Sequence, residues 1–277
     1  MLAMRNRHHE VTSKEAMQFL PTSQAAHHET LETSPFLSKQ SKHLAEGRTF
    51  SHILLEICGF VLFFSWMVKI ALSLYDRFIE NGDGRIMVYR MIVVGIFGIA
   101  AADFTSGTLH WMVDNYGDPD YPVLGSVFFR PFHHHHSDPQ AITMHGFVER
   151  NGNNFFVCLP PLWAAHSAFT DHNDQTSFLM ATFWLVFALF AGFANETHVW
   201  AHMKSPPRVV KHLQDLGLLV SRQAHHEHHI RPHDRNYCLV TGWLNRPLTA
   251  IRFFEAIESI IAKITGIIPL HERIRAV

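Results

Sequence analysis

The chain is poor in the residues that build a disulfide framework. It has only three cysteines, Cys58, Cys158 and Cys238, and no two of them form a CxxC pair. An odd, scattered set argues against cross-linking and against an iron–sulfur cluster, and fits a reducing side of the membrane. No CxxCH occurs, which disfavours covalent haem. The formal net charge is −1, so no bulk basic field points to nucleic acid. Convincing Glu-x-x-His pairs, the mark of a carboxylate-bridged di-iron bundle, are also missing around Glu149 and Glu227. The first 48 residues contain no apolar run that would make a secretory signal; scattered Ser, Thr, Gln, His and Glu predict a disordered polar tail over 1–48.

What is present is apolar sequence and histidine. Hydrophobic residues make up 47% of the 277, yet mean hydropathy is only +0.02, which fits membrane spans joined to a sizeable polar portion. Four apolar segments stand out: Ile53–Tyr75, Met91–Leu109, Phe155–Phe169 and Phe178–Ala194. The fourth carries no charge, and the third is short and broken by Pro160 and Pro161, so it either spans or is re-entrant. The expected fold is therefore all-α, a multi-pass membrane bundle of about four segments over 49–277. The stretches 110–154 and 195–246 carry nine Lys and Arg residues, including Arg130, Arg150, Lys204 and Arg222, whereas the loop 165–177 has only Asp171 and Asp174. By the positive-inside rule the tail and the polar stretches lie in the cytosol; Arg77, Arg85 and Arg90 between the first two segments run against this. Near the C-terminus Phe253, Ile257, Ile260, Ile261, Ile264 and Ile268 recur at helical spacing, predicting an amphipathic helix that lies in the membrane interface or packs on the polar portion.

Histidine occurs 23 times, as often as Lys and Arg combined. Imidazole is the commonest metal ligand, and here its distribution follows the spans. His110 and Asp114 are four apart at the end of the second segment and share a helix face. The run His133–His136 follows Phe129-Arg130-Pro131-Phe132, with His145 nine residues on; four adjacent histidines cannot all face one centre. Asn195, His198 and His202 form one helical stripe just past the fourth segment, and His225, His228 and His229 share another face, followed by His233. A zinc needs three or four ligands, whereas roughly ten histidines in four groups suit two metals, and nitrogen-rich open sites suit iron that activates O2. Asp114, Asn195, Asp103 and Asp138 are candidates to orient ligands or hold a water, and Arg130 is a candidate for a phosphate group. The non-enzymatic alternative, a metal transporter or sensor, would place ligands along several spans, and the third and fourth segments hold only His166.

From Asp103 to Leu248 these motifs closely resemble the Kua-type lipid desaturase family, which includes the plasmanylethanolamine desaturases. The resemblance is carried by Asp103-x-x-Ser106-Gly107-x-x-His110-Trp111, Phe129–Phe132, His135-His136-x-Asp138-Pro139, Ala141-Ile142-Thr143-x-His145, Asn151-Gly152-x-Asn154, Asn195-x-x-His198-x-x-x-His202, His225-x-x-His228-His229-x-x-Pro232-His233 and the block Cys238–Leu248. His133, His134 and His226 stand outside the pattern. The resemblance implies His110, His135, His136, His145, His198, His202, His225, His228, His229 and His233 as metal-binding and catalytic residues. It implies two irons, O2 as co-substrate and electrons from a carrier protein such as cytochrome b5. The implied reaction makes a 1′,2′ vinyl-ether bond in an ether phospholipid; the plant relatives' alternative is an acyl double bond near the carboxyl end. The implied place is the endoplasmic reticulum in a eukaryote or the inner membrane in a bacterium, with the histidines on the cytosolic side.

Overall fold

The structure is a computed structural model in which residues 49–80, 84–122, 125, 129–171 and 174–275 are described. The polar tail, with His8, His9, His27 and His28, lies outside the described residues. Every regular element among the described residues is a helix. Two long ones come first, α1 (Phe50–Glu80) and α2 (Gly84–Tyr116). A short α3 (Arg130–Ser137) and a single 3-10 turn (Ala141–Met144) lead to α4 (Phe147–Val157) and α5 (Leu159–Asp171). Then come α6 (Gln175–Gly192) and α7 (Ala194–His202), followed by α8 (Arg208–Asp215), α9 (Arg222–His228), α10 (Asn245–Ala250), α11 (Phe253–Thr265) and α12 (Leu270–Arg275).

Three runs are long and apolar enough to cross a membrane: α1, α2 and the joined α6–α7, which spans Gln175–His202. At 1.5 Å per residue each exceeds the roughly 30 Å of a bilayer core. Val61, Val68, Leu72, Ile92, Ile96 and Phe97 point outward from α1 and α2 and stay exposed. A surface of that kind is costly in water and costs nothing against lipid. The inner seam is dry: Phe63, Ile70 and Leu74 of α1 pack with Phe155, Leu162 and Ala165, and with Phe178, Ala181 and Ala188 of α6. Phe63 and Phe155 stack at 4.6 Å between centroids.

The third apolar segment differs from a simple span. Cys158 separates α4 from α5, and Pro160 and Pro161 occupy the first turn of α5, where a missing N–H leaves no intrahelical bond unmade. The 13 residues of α5 reach only about 20 Å, short of a bilayer. The chain thus bends where the prolines lie, and α5 packs on α6 and α1. The Asn-Gly-x-Asn motif explains how α4 docks. A Cβ on Gly152 would sit 2.6 Å from the Cα of Glu56, so only glycine lets α4 meet the backbone of α1. Asn154 donates to the carbonyls of Ala191 and Gly192 at 2.8 Å, satisfying the end of α6 where α7 begins.

The C-terminal amphipathic helix forms as α11. Its inner face meets the outer end of α2, with Phe254 stacked on Trp111 and Trp111 Nε1 donating to Glu258 at 2.7 Å. Ile260 and Ile264 on the other face remain exposed.

Candidate metal centre

The metal-ligand side chains converge where α2 and α7 run out beyond the apolar bundle. The stripe of buried residues on α2 runs Asp103, Ser106, Gly107, His110, Trp111, Asp114, so a single helix face carries the motif residues. On α7, His198 and His202 lie one turn apart, both buried. Two short helices close over these faces. α3 brings His135 and His136; α9 brings His225 and His228, and the residue that caps it brings His229.

The convergence forms two groups. In the first, the ligand atoms of His135, His198, His202, His225 and His229 all lie within 4.8 Å of one another. The second consists of His110, Asp114, His136 and His228 under the same limit. The groups adjoin: the His136 and His229 rings are 5.1 Å apart, and those of His110 and His225 are 6.2 Å apart. Both connecting helices serve both groups. Neighbours His135 and His136 point into different groups, and α9 with its capping residue gives His225 and His229 to one and His228 to the other. That division shows how a run of adjacent histidines is used. Of its other members, His133 turns its Nε2 to the Val113 carbonyl at 3.2 Å.

Hydrogen bonding fixes what the site presents. His110 Nδ1 lies 3.0 Å from the Tyr237 carbonyl, and His228 Nδ1 lies 2.8 Å from the Arg235 carbonyl. A carbonyl only accepts, so both Nδ1 atoms carry the hydrogen, and in the neutral rings it is the Nε2 lone pairs that face inward. They face a carboxylate: Asp114 Oδ2 is 3.2 Å from His110 Nε2 and 3.4 Å from His228 Nε2. In the first group the Nε2 atoms approach each other, His198–His202 at 3.2 Å, His202–His225 at 2.7 Å and His225–His229 at 3.0 Å. Nitrogens bound at about 2.1 Å to a common cation, at right angles, stand about 3.0 Å apart. Both Asp114 oxygens, His110 Nε2 and both His135 nitrogens are buried without a hydrogen-bond partner among the described residues. Lone pairs aimed at lone pairs and at an anion are repulsive by themselves; a cation in each group removes the repulsion. The residues present therefore fit a metal in each group, with borderline nitrogen and oxygen donors.

Burial also keeps the imidazoles in the binding form. Burial, reinforced by neighbouring histidines, holds His135, His136 and His225 well below the usual histidine range and pushes His229 down to about 2. Neutral imidazole is the state a metal binds.

A strap of chain holds the second group's carbonyls in place. Asp103, fully buried, accepts from the backbone N–H groups of Val240, Thr241 and Gly242 on Oδ1 and of Leu244 on Oδ2. Ser106 Oγ accepts from Leu239 N at 3.1 Å. A Cβ on Gly107 would sit 2.5 Å from Cys238 Sγ, so the glycine lets the strap lie against α2. The D-x-x-S-G-x-x-H motif is thus one device: its first residues dock the strap, and the strap's Tyr237 carbonyl orients His110.

Other expected site residues lie elsewhere. Asp114, expected to orient a ligand, is placed among the ligand atoms themselves. His145 is outside both groups, its Nδ1 3.0 Å from Glu149. His233 stacks on His136 at 4.4 Å and turns Nδ1 to the His228 carbonyl, at the edge of the second group. Asn195 donates to the Arg150 carbonyl at 2.9 Å, tying α7 to α4. Arg130 is exposed and bonds Pro119 and Asp120. Sequence reasoning gave no role to Glu196, which accepts Arg150 Nη2 on both carboxylate oxygens and Asn151 Nδ2 on one of them. A charged residue inside the stripe just before His198 was the available signal. A third cluster, Glu258, His271 and Glu272, is explained by hydrogen bonds to Trp111 and Asn115.

The sequence comparisons cover the same part of the chain. The lipid desaturase domain family matches residues 99–272, more than half of the chain and all of both groups. The chain belongs to that family. It is a membrane-bound lipid desaturase whose histidines form a metal-binding centre. The chain is 36% identical over 241 residues to the plasmanylethanolamine desaturase of Myxococcus xanthus, covering 84% of this chain and 80% of that one. It is 38% identical over 181 residues to plasmanylethanolamine desaturase 1 of Mus musculus, covering 64% and 67%. It is 37% identical over 180 residues to chloroplastic fatty acid desaturase 4 of Arabidopsis thaliana, covering 64% and 53%. No solved structure matches this desaturase.

Proposed function

We propose that this desaturase converts the 1-O-alkyl chain of phosphatidylethanolamine-type ether lipids to the 1′-alkenyl form, using two irons, O2 and an electron-carrier protein, with its metal centre on the cytosolic side. The observation that carries the reading is the pair of adjoining ligand groups at the ends of two apolar helices. The names of the Myxococcus xanthus and Mus musculus relatives support the substrate. Removing hydrogen from an unactivated CH2 needs an oxidant no side chain supplies; a metal pair held by the two groups would supply it by activating O2. The protein's own part is holding and shielding. Carbonyls of Tyr237 and Arg235 set the imidazole tautomers, and burial of His198, His225 and His228 keeps water from the reacting carbon. An ether oxygen sits near the headgroup boundary of a bilayer, the depth at which α2 and α7 leave the membrane in this reading. The carbon beside it is reached by a small displacement of the lipid, whereas a mid-chain carbon would need a long tunnel.

The same depth suits an acyl carbon near the carboxyl end, and the Arabidopsis thaliana relative is named a fatty acid desaturase. The deciding experiment expresses the chain in cells lacking plasmalogens and treats their lipids with mild acid. Vinyl ethers release a fatty aldehyde, which is the expected result; no aldehyde together with a new acyl double bond selects the second reading. Elemental analysis of protein purified without chelator is expected to give two irons per chain; one zinc and no iron would refute the iron reading.

A further inference from the structure

Desaturation leaves an electron debt. Taking two hydrogens from CH2–CH2 releases two electrons and two protons, while reducing O2 to two waters consumes four of each. Two further electrons and two protons must come from outside, so on the reading above the buried centre needs a contact with a reductant. Of the nine residues in the two groups, only His136 and His229 are part-exposed. They adjoin each other, and part-exposed His233 stacks on His136, so one imidazole edge opens to solvent over both groups. With α2 and α7 emerging from the membrane as in that reading, its position is on the far side. His136 Nε2 faces Asp114, one turn beyond His110 on α2, and the His229 ring packs on His202, one turn beyond His198 on α7. A lipid approaching from the bilayer meets the His110 and His198 side; a soluble molecule meets the His136 and His229 edge.

The surface around that edge is basic. Arg222 opens α9, and Arg231 and Arg235 follow it, all exposed, with exposed Ile230 among them. Asp234 is paired with Arg235 and Arg275, so Glu227 is the remaining acid against Arg222 and Arg231. Neither of those two arginines forms an ion pair among the described residues. Arg222 lies three residues before His225 and Arg231 two residues after His229, so both flank the ligand-bearing segment.

We propose that this face, with Arg222 and Arg231 around the edge of His136, His229 and His233, docks an acidic one-electron carrier protein, which delivers two electrons one at a time. A positive rim steers a negative partner and makes its association rate sensitive to salt. The test uses the full-length enzyme in vesicles of neutral lipid containing its ether-lipid substrate. Product is measured with two reductants, a prereduced acidic haem domain held below saturation, and dithionite. Wild-type enzyme inactive with both reductants refutes the ether-lipid reading on which the proposal rests, not the docking face. With wild type active, R222E/R231E is expected to lose at least tenfold of the carrier-driven rate while its dithionite-driven rate stays within twofold. Wild-type carrier-driven turnover is expected to fall on raising salt to about 0.3 M, where the Debye length shrinks below 6 Å, and the dithionite rate is expected to hold. An unchanged carrier-driven rate in the variant overturns the proposal. So does an equal loss with both reductants accompanied by a higher KM for lipid, which would assign the arginines to phospholipid headgroups. If the variant loses metal or fails to fold, the wild-type salt dependence decides: a carrier rate indifferent to salt overturns the proposal.

Discussion

Replacing Asp103 by Asn tests the strap without touching a ligand. The carboxylate accepts four backbone N–H groups at 2.9–3.2 Å, at zero exposure, and the strap it holds carries the Tyr237 carbonyl that orients His110. Asparagine keeps the shape but changes the chemistry: its one oxygen still accepts, while its NH2 is directed at donors. A hydrogen bond to a charged acceptor contributes about 1.5–3 kcal/mol, a neutral one about 1, and a buried orphaned donor costs about 1–3. Weakening three such bonds and orphaning the Leu244 N–H amounts to about 3 kcal/mol once non-additivity within one network is allowed for. At about 2–4 °C per kcal/mol for a domain of this size, the apparent Tm in detergent should drop by about 6–12 °C. The loss should be selective. Metal content should fall toward one ion per chain, because the second group loses His110 while the first is built on α3, α7 and α9 alone. Thermal unfolding and elemental analysis on the same preparation make the test. A D103N protein with wild-type Tm and full metal would show that the strap does not hold the site.

Three further outcomes are expected. H198A and H202A should each reduce turnover below a hundredth of wild type and release metal, while H133A and H134A stay within twofold; full activity after losing both His198 and His202 would refute the two-group centre. H145A, at a position the family resemblance implies as metal-binding, should also lose activity; if it keeps full metal while losing turnover, its contact with Glu149 rather than ligation accounts for its role. Metal-free protein should lose stability as pH falls from 7 to 5.5: His135 and His225 stay neutral in the fold but protonate below about 6.5 when unfolded, so each costs about 1.4 kcal/mol one unit below that value. Urea unfolding at the two pH values measures this, and a flat profile would mean that these histidines titrate normally.

Much of the site was legible because helical spacing converts directly into direction. His110 with Asp114, and His198 with His202, are four residues apart and had to share faces. The spans were legible from hydropathy for the same local reason. What was not legible depends on long-range contact. Nothing in the run His133–His136 says which ring turns to which group; the position of α3 against α9 decides it. Asp103 read as a possible orienting group or water holder, because its four partners lie some 140 residues away in a segment without regular structure. The bend at Cys158 was half-visible: Pro160 and Pro161 marked the break, but whether two short helices or one kinked span resulted depended on how tightly Gly152 lets α4 press on α1.

The division of α3 and α9 between the groups has a consequence for how the centre fails. A helix of seven residues that, with its capping residue His229, gives His225 and His229 to one group and His228 to the other cannot shift for one group alone. The strap adds to this constraint, since the Arg235 carbonyl holds His228 while Tyr237, two residues on, holds His110. Loss of metal from the first group frees His225 and His229, and α9 is then anchored through His228 only; loss from the second frees His228 and leaves the strap held by Asp103. The two metals are therefore expected to bind with positive coupling, each ordering the shared helix for the other. Substitutions on α9 should cost more than one ion, and substitutions on α7 should release the first metal and weaken the second. Independent metal titrations of H202A and wild type measure that coupling. Identical affinity for the remaining metal in both proteins would mean that α9 is rigid without either ion, and that the surrounding packing alone holds it in place.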